Sequence, residues 1–271
     1  MGISAGGPIV CFAVNARLTR ISTTPVKGLA LAHPHEIRLE RTGATDDRRF
    51  YLVDGGGHLV NRKRAPHLAW IGATLADGGS TLAIATPDGE PIEALVETDR
   101  PVETSFYGRA VRGRVVRGPF SEAISQAAGV ELTLVRADQP GGGHDRGPAG
   151  AVSLVSIASL ERLAAELAVT DLDARRFRML FEVAGVEAHE EDGWVGRRIS
   201  IGEAVVRLHA LVGRCAVTTQ DPDSGASDLD TLRALGAYRA DVPSEEPLPF
   251  GVWGSVETPG VVRVGDVVAP L

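Results

Sequence analysis

Cys215 stands where an apolar, strand-like run gives way to polar turn residues, in LVGRCAVTTQDPDSG. A cysteine thiolate is a soft ligand suited to a thiophilic metal. The positive charge of the adjacent Arg214 would favour the thiolate form. The competing reading is plain packing, because an isolated strand cysteine more often fills a core. Spacing alone does not separate the two. Basic residues recur at the ends of other apolar runs: Lys27 in TPVKG, Arg48 and Arg49 in DDRRFYL, Arg176 and Arg178 in ARRFRM. If they converge, they make an anion pocket, since a planar guanidinium fork donates two bonds to one phosphate. Taken singly, each is better explained as a solvated or ion-paired charge at a strand end.

Other chemistries are harder to assemble. The seven histidines show no H-E-x-x-H spacing. His33 and His35 share one side of an extended strand but lack a third ligand. EAHEEDGW, at 187–194, reads as a solvated acidic loop closed by a packed Trp194. DGGGH and PGGGHDRG are glycine-rich, yet neither follows a strand and opens a helix as a phosphate-binding loop does, so both read as turns. No G-x-S-x-G elbow occurs. The second cysteine, Cys11 in IVCFAV, reads as a small buried hydrophobe in a strand. Two cysteines so far apart make neither a zinc site nor a disulfide framework.

The elements that must position these residues are mostly strands. VCFAVNARLTRIST, HEIRLERTG, RRFYLVDGGGHLVNRK, HLAWIGATLADGGSTLAIAT and GEPIEALVE follow one another between Gly, Pro and Asp turns. VDGGGHLV and LADGGSTLAI have the turn chemistry of hairpins. SEAISQAAG predicts a short helix capped by Ser121 and ended at Gly129. ADQPGGGHDRGPAG reads as a mobile surface loop. SIASLERLAAELAV predicts a helix with Leu160, Leu163, Ala164 and Leu167 on one face. RFRMLFEVAG, RRISIGEAVVRLHALVGRCAVTTQD and GVVRVGDVVA return to strands, with a helix at DLDTLRALGAYR between them. The expected fold is mainly β (α+β). An N-terminal β-barrel-like domain spans residues 9–118, and a second β-barrel domain with flanking helices spans 119–271.

Bulk properties narrow the function. The chain has 271 residues, 44% hydrophobic and 23% charged, with a formal net charge of −7. That composition affords a core, and the acidic balance disfavours nucleic acid as a partner. No run is long and apolar enough to span a bilayer. The N-terminus lacks the charged start of a signal peptide, and Gly6 stands where a myristoylation signal wants Ser or Thr. The expectation is a cytoplasmic protein without membrane attachment.

The combined pattern resembles a known family. TPVKG and TGATDDRRFYLVDGGGHLVNRKRAPHLAWI are similar to the N-terminal β-barrel domain that precedes MOSC domains. RRFRMLFEVAG, EEDGWVGRRISIGEAVVRL, GRCAVTTQDPDSG, LRALGAYR and GVVRVGDVV resemble the MOSC domain itself, in the family's order. The resemblance covers residues 13–268, and the run 191–225 is its most specific part. It implies a molybdenum cofactor, with Cys215 as the protein ligand to the metal beside two pterin dithiolene sulfurs. It implies that Lys27, Arg48, Arg178 and Arg214 hold the pterin and its phosphate, and that Trp253 lies near that site. Asp221 matches the family's acidic position, with turn capping as the alternative.

Two activities follow from the resemblance. One is the amidoxime-reducing type, a reductase removing oxygen from N-hydroxylated or S-oxidised small molecules. With no flavin, haem or iron–sulfur motif evident, a separate electron-donor reductase would resupply electrons. The other is a carrier of sulfurated cofactor; complete sulfurases of the family add a pyridoxal phosphate-binding domain, for which this chain has no room. A metal-free thiol enzyme on the same scaffold is a third reading. The sequence departs from the family at three positions. Leu180 replaces an amide in RFRML, Gly28 replaces a hydroxyl residue in PVKG, and Gly150 stands where a small hydroxyl residue is common. Each lost bond to a charged group would cost roughly 1.5–3 kcal/mol.

Overall fold

The computed structural model describes residues 16–271; the expectation for Cys11 lies outside them. The first part of the chain forms β1 (Arg17–Ile21), β2 (Glu36–Glu40), β3 (Gly43–Ala44), β4 (Phe50–Val53) and β5 (Leu59–Val60). Next come β6 (Gly72–Ala76), β7 (Thr81–Ala85), β8 (Ile92–Leu95), β9 (Thr98–Phe106), β10 (Arg109–Val116), α1 (Phe120–Ala128) and β11 (Thr133–Ala137). The remainder forms β12 (Val152–Ser156), α2 (Ile157–Glu166), β13 (Phe181–Ala184), β14 (Arg198–Ile201) and β15 (Ala204–Gly213). It ends with α3 (Thr231–Tyr238), β16 (Pro249–Thr258), β17 (Gly260–Arg263) and β18 (Val268–Pro270). The fold is mainly β, as the strand pattern predicts.

The largest sheet has the order β1-β13-β12-β16-β15-β14-β18. Its two ends approach each other. Gly265 N donates to Leu18 O at 2.7 Å, and Val268 N to Ala16 O at 2.9 Å, so the sheet nearly closes on itself. Closure removes exposed edges. Inside lie Leu18, Ile21, Leu154, Phe181, Ile199, Val206 and Val252, all buried. A second sheet, β5-β4-β11-β10-β9, and a three-stranded sheet, β6-β7-β8, build the first unit. Phe50, Leu52, Leu68, Leu82, Phe120 and Leu134 form its core.

Strand pairing crosses the expected division at 118/119. β1 joins the large sheet beside β13, and β2 pairs with β17. In the other direction, β11 pairs with β4 and β10, and α1 packs into the first core through Phe120 and Ile124. The two expected hairpins form, β4 with β5 and β6 with β7.

α2 buries Leu160, Leu163 and Ala164 and packs Leu167 alongside, the face its periodicity predicts. Ser156 caps it by accepting from Ser159 N at 3.1 Å. α1 differs from expectation at its start. Its cap position is Pro119, and Ser121 Oγ accepts instead from Leu134 N at 3.0 Å, tying the helix to β11. Gly129 ends it with φ +71°, as expected. PHLAW, expected as strand, is a 3-10 turn over Pro66–Trp70, because proline fixes φ for the first helical position. ARRF is likewise a 3-10 turn, started by Asp173, whose carboxylate accepts from Arg175 N at 2.9 Å.

Candidate functional site

A cavity of about 580 Å³ lies where the first unit meets the large sheet. Cys215 opens onto it, two residues beyond the end of β15 and directly after Arg214, with an exposed free thiol. The backbone there is fixed locally. Thr218 donates through its N and Oγ to Cys215 O, both at 3.0 Å, turning the chain directly after the cysteine.

Of the expected basic residues, Lys27, Arg48, Arg178 and Arg214 all line this cavity, and so does Trp253. Lys27 is buried and pairs with Asp145. Burial pushes its pKa down, Asp145 pulls it back up, and Arg48 and Arg178 push it down again. Arg48 pairs with the buried Asp47, which also accepts from Thr24 N at 2.8 Å. Arg48 Nη2 donates to Arg178 O at 3.2 Å. Arg178 Nη2 donates to Leu29 O at 2.8 Å, while its Nη1 is buried without a partner. Burial lowers the Arg178 pKa to about 9, with Arg48 and Arg62 adding repulsion. The guanidinium therefore stays charged at neutral pH, as arginines do. Arg214 turns inward, donating through Nε to Phe250 O at 2.9 Å and through Nη1 to Phe177 O at 3.0 Å. Burial lowers its pKa to about 9 as well.

Arg48 and Arg178 both hold left-handed backbones, φ +50° and +52°. Such conformations cost roughly 1–3 kcal/mol in non-glycine residues and cluster at functional sites. Here they aim two guanidinium groups into one space. Arg49 is not part of it; its guanidinium pairs with Asp46 at 2.8 Å. Arg176 borders the cavity, but Asp228 holds both of its terminal nitrogens, at 2.6 and 2.7 Å.

Asp221 has the geometry of its turn-capping alternative and does not line the cavity. Its Oδ1 accepts from Ser224 N and Ser224 Oγ, each at 2.7 Å, so it caps the DPDSG turn. Its carbonyl instead accepts from Arg62 Nη2 at 2.9 Å, steadying an arginine that does line the cavity. The Leu180 side chain sits in the barrel core and not in the cavity, whereas Met179 of the same RFRML run lines it. Gly28 and Gly150 do border the cavity.

Sequence reasoning missed the other wall. The stretch 137–150, expected as a mobile surface loop, begins at the last residue of β11 and is pinned there. Arg109 Nη2 donates to Gly142 O at 2.9 Å and to His144 O at 2.6 Å. Gly143 lies so close to Arg48 that a Cβ would meet Arg48 O at 1.9 Å. The loop delivers His144, Asp145 and Arg146 to the cavity. Arg62 and Tyr107 were also missed. The one local signal was the density of Gly and charge in GGGHDRG, a pattern shared with ordinary turns.

Comparison with known proteins matches this sequence to a family. Residues 15–125 fit the MOSC N-terminal beta barrel domain, and residues 141–269 fit the MOSC domain. The chain belongs to the MOSC domain proteins. Mitochondrial amidoxime-reducing component 1 of Mus musculus is 26% identical over 254 residues, covering 84% of this MOSC chain and 73% of that protein. Its counterpart in Xenopus laevis is 27% identical over 256 residues, with the same coverage. Mitochondrial amidoxime reducing component 2 of Rattus norvegicus is 29% identical over 262 residues, covering 84% and 74%. Among the described residues of the MOSC chain, no helix is long and apolar enough to cross a membrane.

Proposed function

We propose that this MOSC protein is a molybdenum cofactor-dependent reductase that removes oxygen from N-hydroxylated or S-oxidised small molecules, with Cys215 as its ligand to the metal. The observation that carries the reading is the cavity's imbalance of charge around an exposed thiol. Lys27 and Arg48 each meet a carboxylate, whereas Arg62, Arg178 and Arg214 bond only main-chain oxygens or a thioether. Arg178 Nη1 is a buried donor without an acceptor in the protein. Such a donor suits an anionic oxygen of the kind a phosphate offers.

The residues fit the cofactor in a second respect. Among the described residues no group of three or more His, Cys, Asp or Glu could hold a metal. A single thiolate therefore suits a metal that arrives with its own sulfur ligands. In this reading Lys27, Arg48 and Arg178 hold the pterin phosphate end, and the open backbone at Gly28 lets it approach.

The net change is reduction of N–OH to N–H, with two electrons and two protons consumed and one water formed. The bound cofactor supplies the two-electron, oxygen-atom step. The chain offers Tyr107 and Trp253 as walls for the substrate. The fixed positive charges stabilise negative charge developing on the leaving oxygen. Electrons come from a separate electron-donor reductase.

The test is elemental mass spectrometry on full-length protein from a host that makes the cofactor. Wild type should carry close to stoichiometric molybdenum and reduce an amidoxime with an artificial donor; Cys215→Ala should carry almost none. Equal metal in both, or none in wild type, would remove this reading. Metal without turnover would leave a carrier.

A further inference from the structure

The mouth of the cavity holds a second, smaller construction. Arg146, on the 138–150 loop, reaches Glu246 in the segment before β16, a separation of 100 residues. Its Nε and Nη2 donate to Glu246 Oε1 at 3.2 and 2.6 Å, and Nη2 also meets Oε2. The guanidinium lies over the Trp253 ring, 5.0 Å from its centroid. Glu246 is itself held from behind, because Gly213 N donates to Oε2 at 2.8 Å. All four residues line the cavity that contains Cys215.

A carboxylate fixed by a main-chain N–H, set beside an aromatic face, is a recognition box for a planar cation. The carboxylate supplies forked acceptors, and the ring supplies the cation–π face. Two glycines make the box possible. A Cβ on Gly213 would lie 2.4 Å from Glu246 Cβ, and one on Gly150 would lie 2.4 Å from Arg146 Cβ. Gly150 thus has a use in this chain: it lets the Arg146 stem fold back across the mouth. Arg146 and Glu246 are only partly buried, 26% and 38% exposed at the side chain, so the pair can open without disturbing the core.

We propose that Glu246 and Trp253 form a subsite for guanidinium- and amidinium-type cations beside Cys215, and that Arg146 is its built-in, displaceable occupant. Ligands bearing such a group enter by replacing Arg146 on Glu246. As a substrate subsite this deepens the reductase reading and rests on it; as a cation-binding site it stands without the metal. A tethered occupant competes at the high effective concentration of an intramolecular group, so it weakens every external cation by a constant factor. No bond is made or broken in the exchange.

The experiment is calorimetric titration of full-length protein with benzamidine as the cation and benzamide as its neutral analogue. Arg146→Ala should bind benzamidine on the order of tenfold tighter than wild type, with benzamide unchanged. Adding Glu246→Gln to that variant should erase the gain. Gly150→Ser, which crowds the Arg146 stem, should give part of the gain with the arginine still present. Equal benzamidine affinity in wild type and Arg146→Ala, or a gain that survives Glu246→Gln, would overturn the proposal. If Arg146→Ala fails to fold, Arg146→Gln and Gly150→Ser carry the same comparison. Molybdenum content, measured on the same preparations, separates failure of the box from failure of the reductase reading.

Discussion

Arg176 and Arg178 are separated by one residue, yet they face opposite surroundings. Arg176 is clamped by Asp228 through two bonds and has Asp221 at 3.9 Å. Its neighbour Arg175 is shared between Asp173 and Asp223. Arg178, thrown to the other side by its left-handed backbone, meets Leu29 O and no carboxylate within salt-bridge distance among the described residues. Two of the three arginines are architectural, because the protein supplies their counter-charge. The third receives no counter-charge from a carboxylate among the described residues, and its Nη1 is buried without a partner. Residue type is the same throughout; the surroundings differ.

Arg178→Met should give the largest effect. If the cavity holds the cofactor phosphate, losing one charge-assisted donor pair should lower cofactor retention by about 100-fold. The apoprotein should not suffer. Arg178 is a desolvated cation among other cations, so an apolar side chain of similar length should leave its melting temperature unchanged or raised. Molybdenum content and thermal melts of the cofactor-free protein check both halves. A variant that keeps its metal but unfolds at lower temperature would place Arg178 with the architectural arginines and break the comparison.

Arg176→Met should behave in reverse. Its side chain is 5% exposed, and removal strands Asp228, which is 43% exposed. Breaking a fully buried pair costs roughly 3–5 kcal/mol, and the exposure of Asp228 reduces this to about 2 kcal/mol. Cofactor retention, measured below the melting transition, should change little. Urea unfolding of apoprotein is the direct measurement; an unperturbed midpoint with lost metal would reverse the assignments of the two residues.

What could be read beforehand divides along similar lines. The two glycine-turn hairpins and the face of α2 come from local periodicity and formed where expected, whereas HLAW and AVTT, read as strand, are 3-10 turns, and β9, β10, β11, β12 and β16 lie in stretches given no strand reading. The convergence of Lys27, Arg48, Arg178, Arg214, Cys215 and Trp253 followed from family resemblance, since no spacing rule joins residues so far apart. The pairing of β1 with β13 brings Arg17 opposite Ala184, a contact no local pattern encodes. The 138–150 loop was misjudged because its order is supplied from β10, by one arginine bonding its carbonyls. The placement of Leu180 was not legible because a motif gives a position and not the direction of a side chain; here it points into the core.

The smallest effect tests the positive field itself. His144 is buried in the cavity wall, and its pKa is lowered to about 4. Burial is the main cause; Asp47 opposes it, and Arg48 and Lys27 reinforce it. The folded pKa lies below the ordinary value of about 6.5, so between those values the unfolded chain binds more protons. Stability must then fall as pH drops through that window, and be undiminished above it. Between pH 7 and pH 6 this residue should cost about 0.7 kcal/mol. His144→Gln should remove that slope, seen as wild-type and variant unfolding curves converging as the pH falls. Bound inorganic phosphate should shrink the difference, because its negative charge offsets Arg48 and Lys27 beside the ring. Parallel pH profiles for the two proteins would mean that His144 already finds a compensating partner, and that the cavity is less one-sided in charge than the contrast between Arg176 and Arg178 requires.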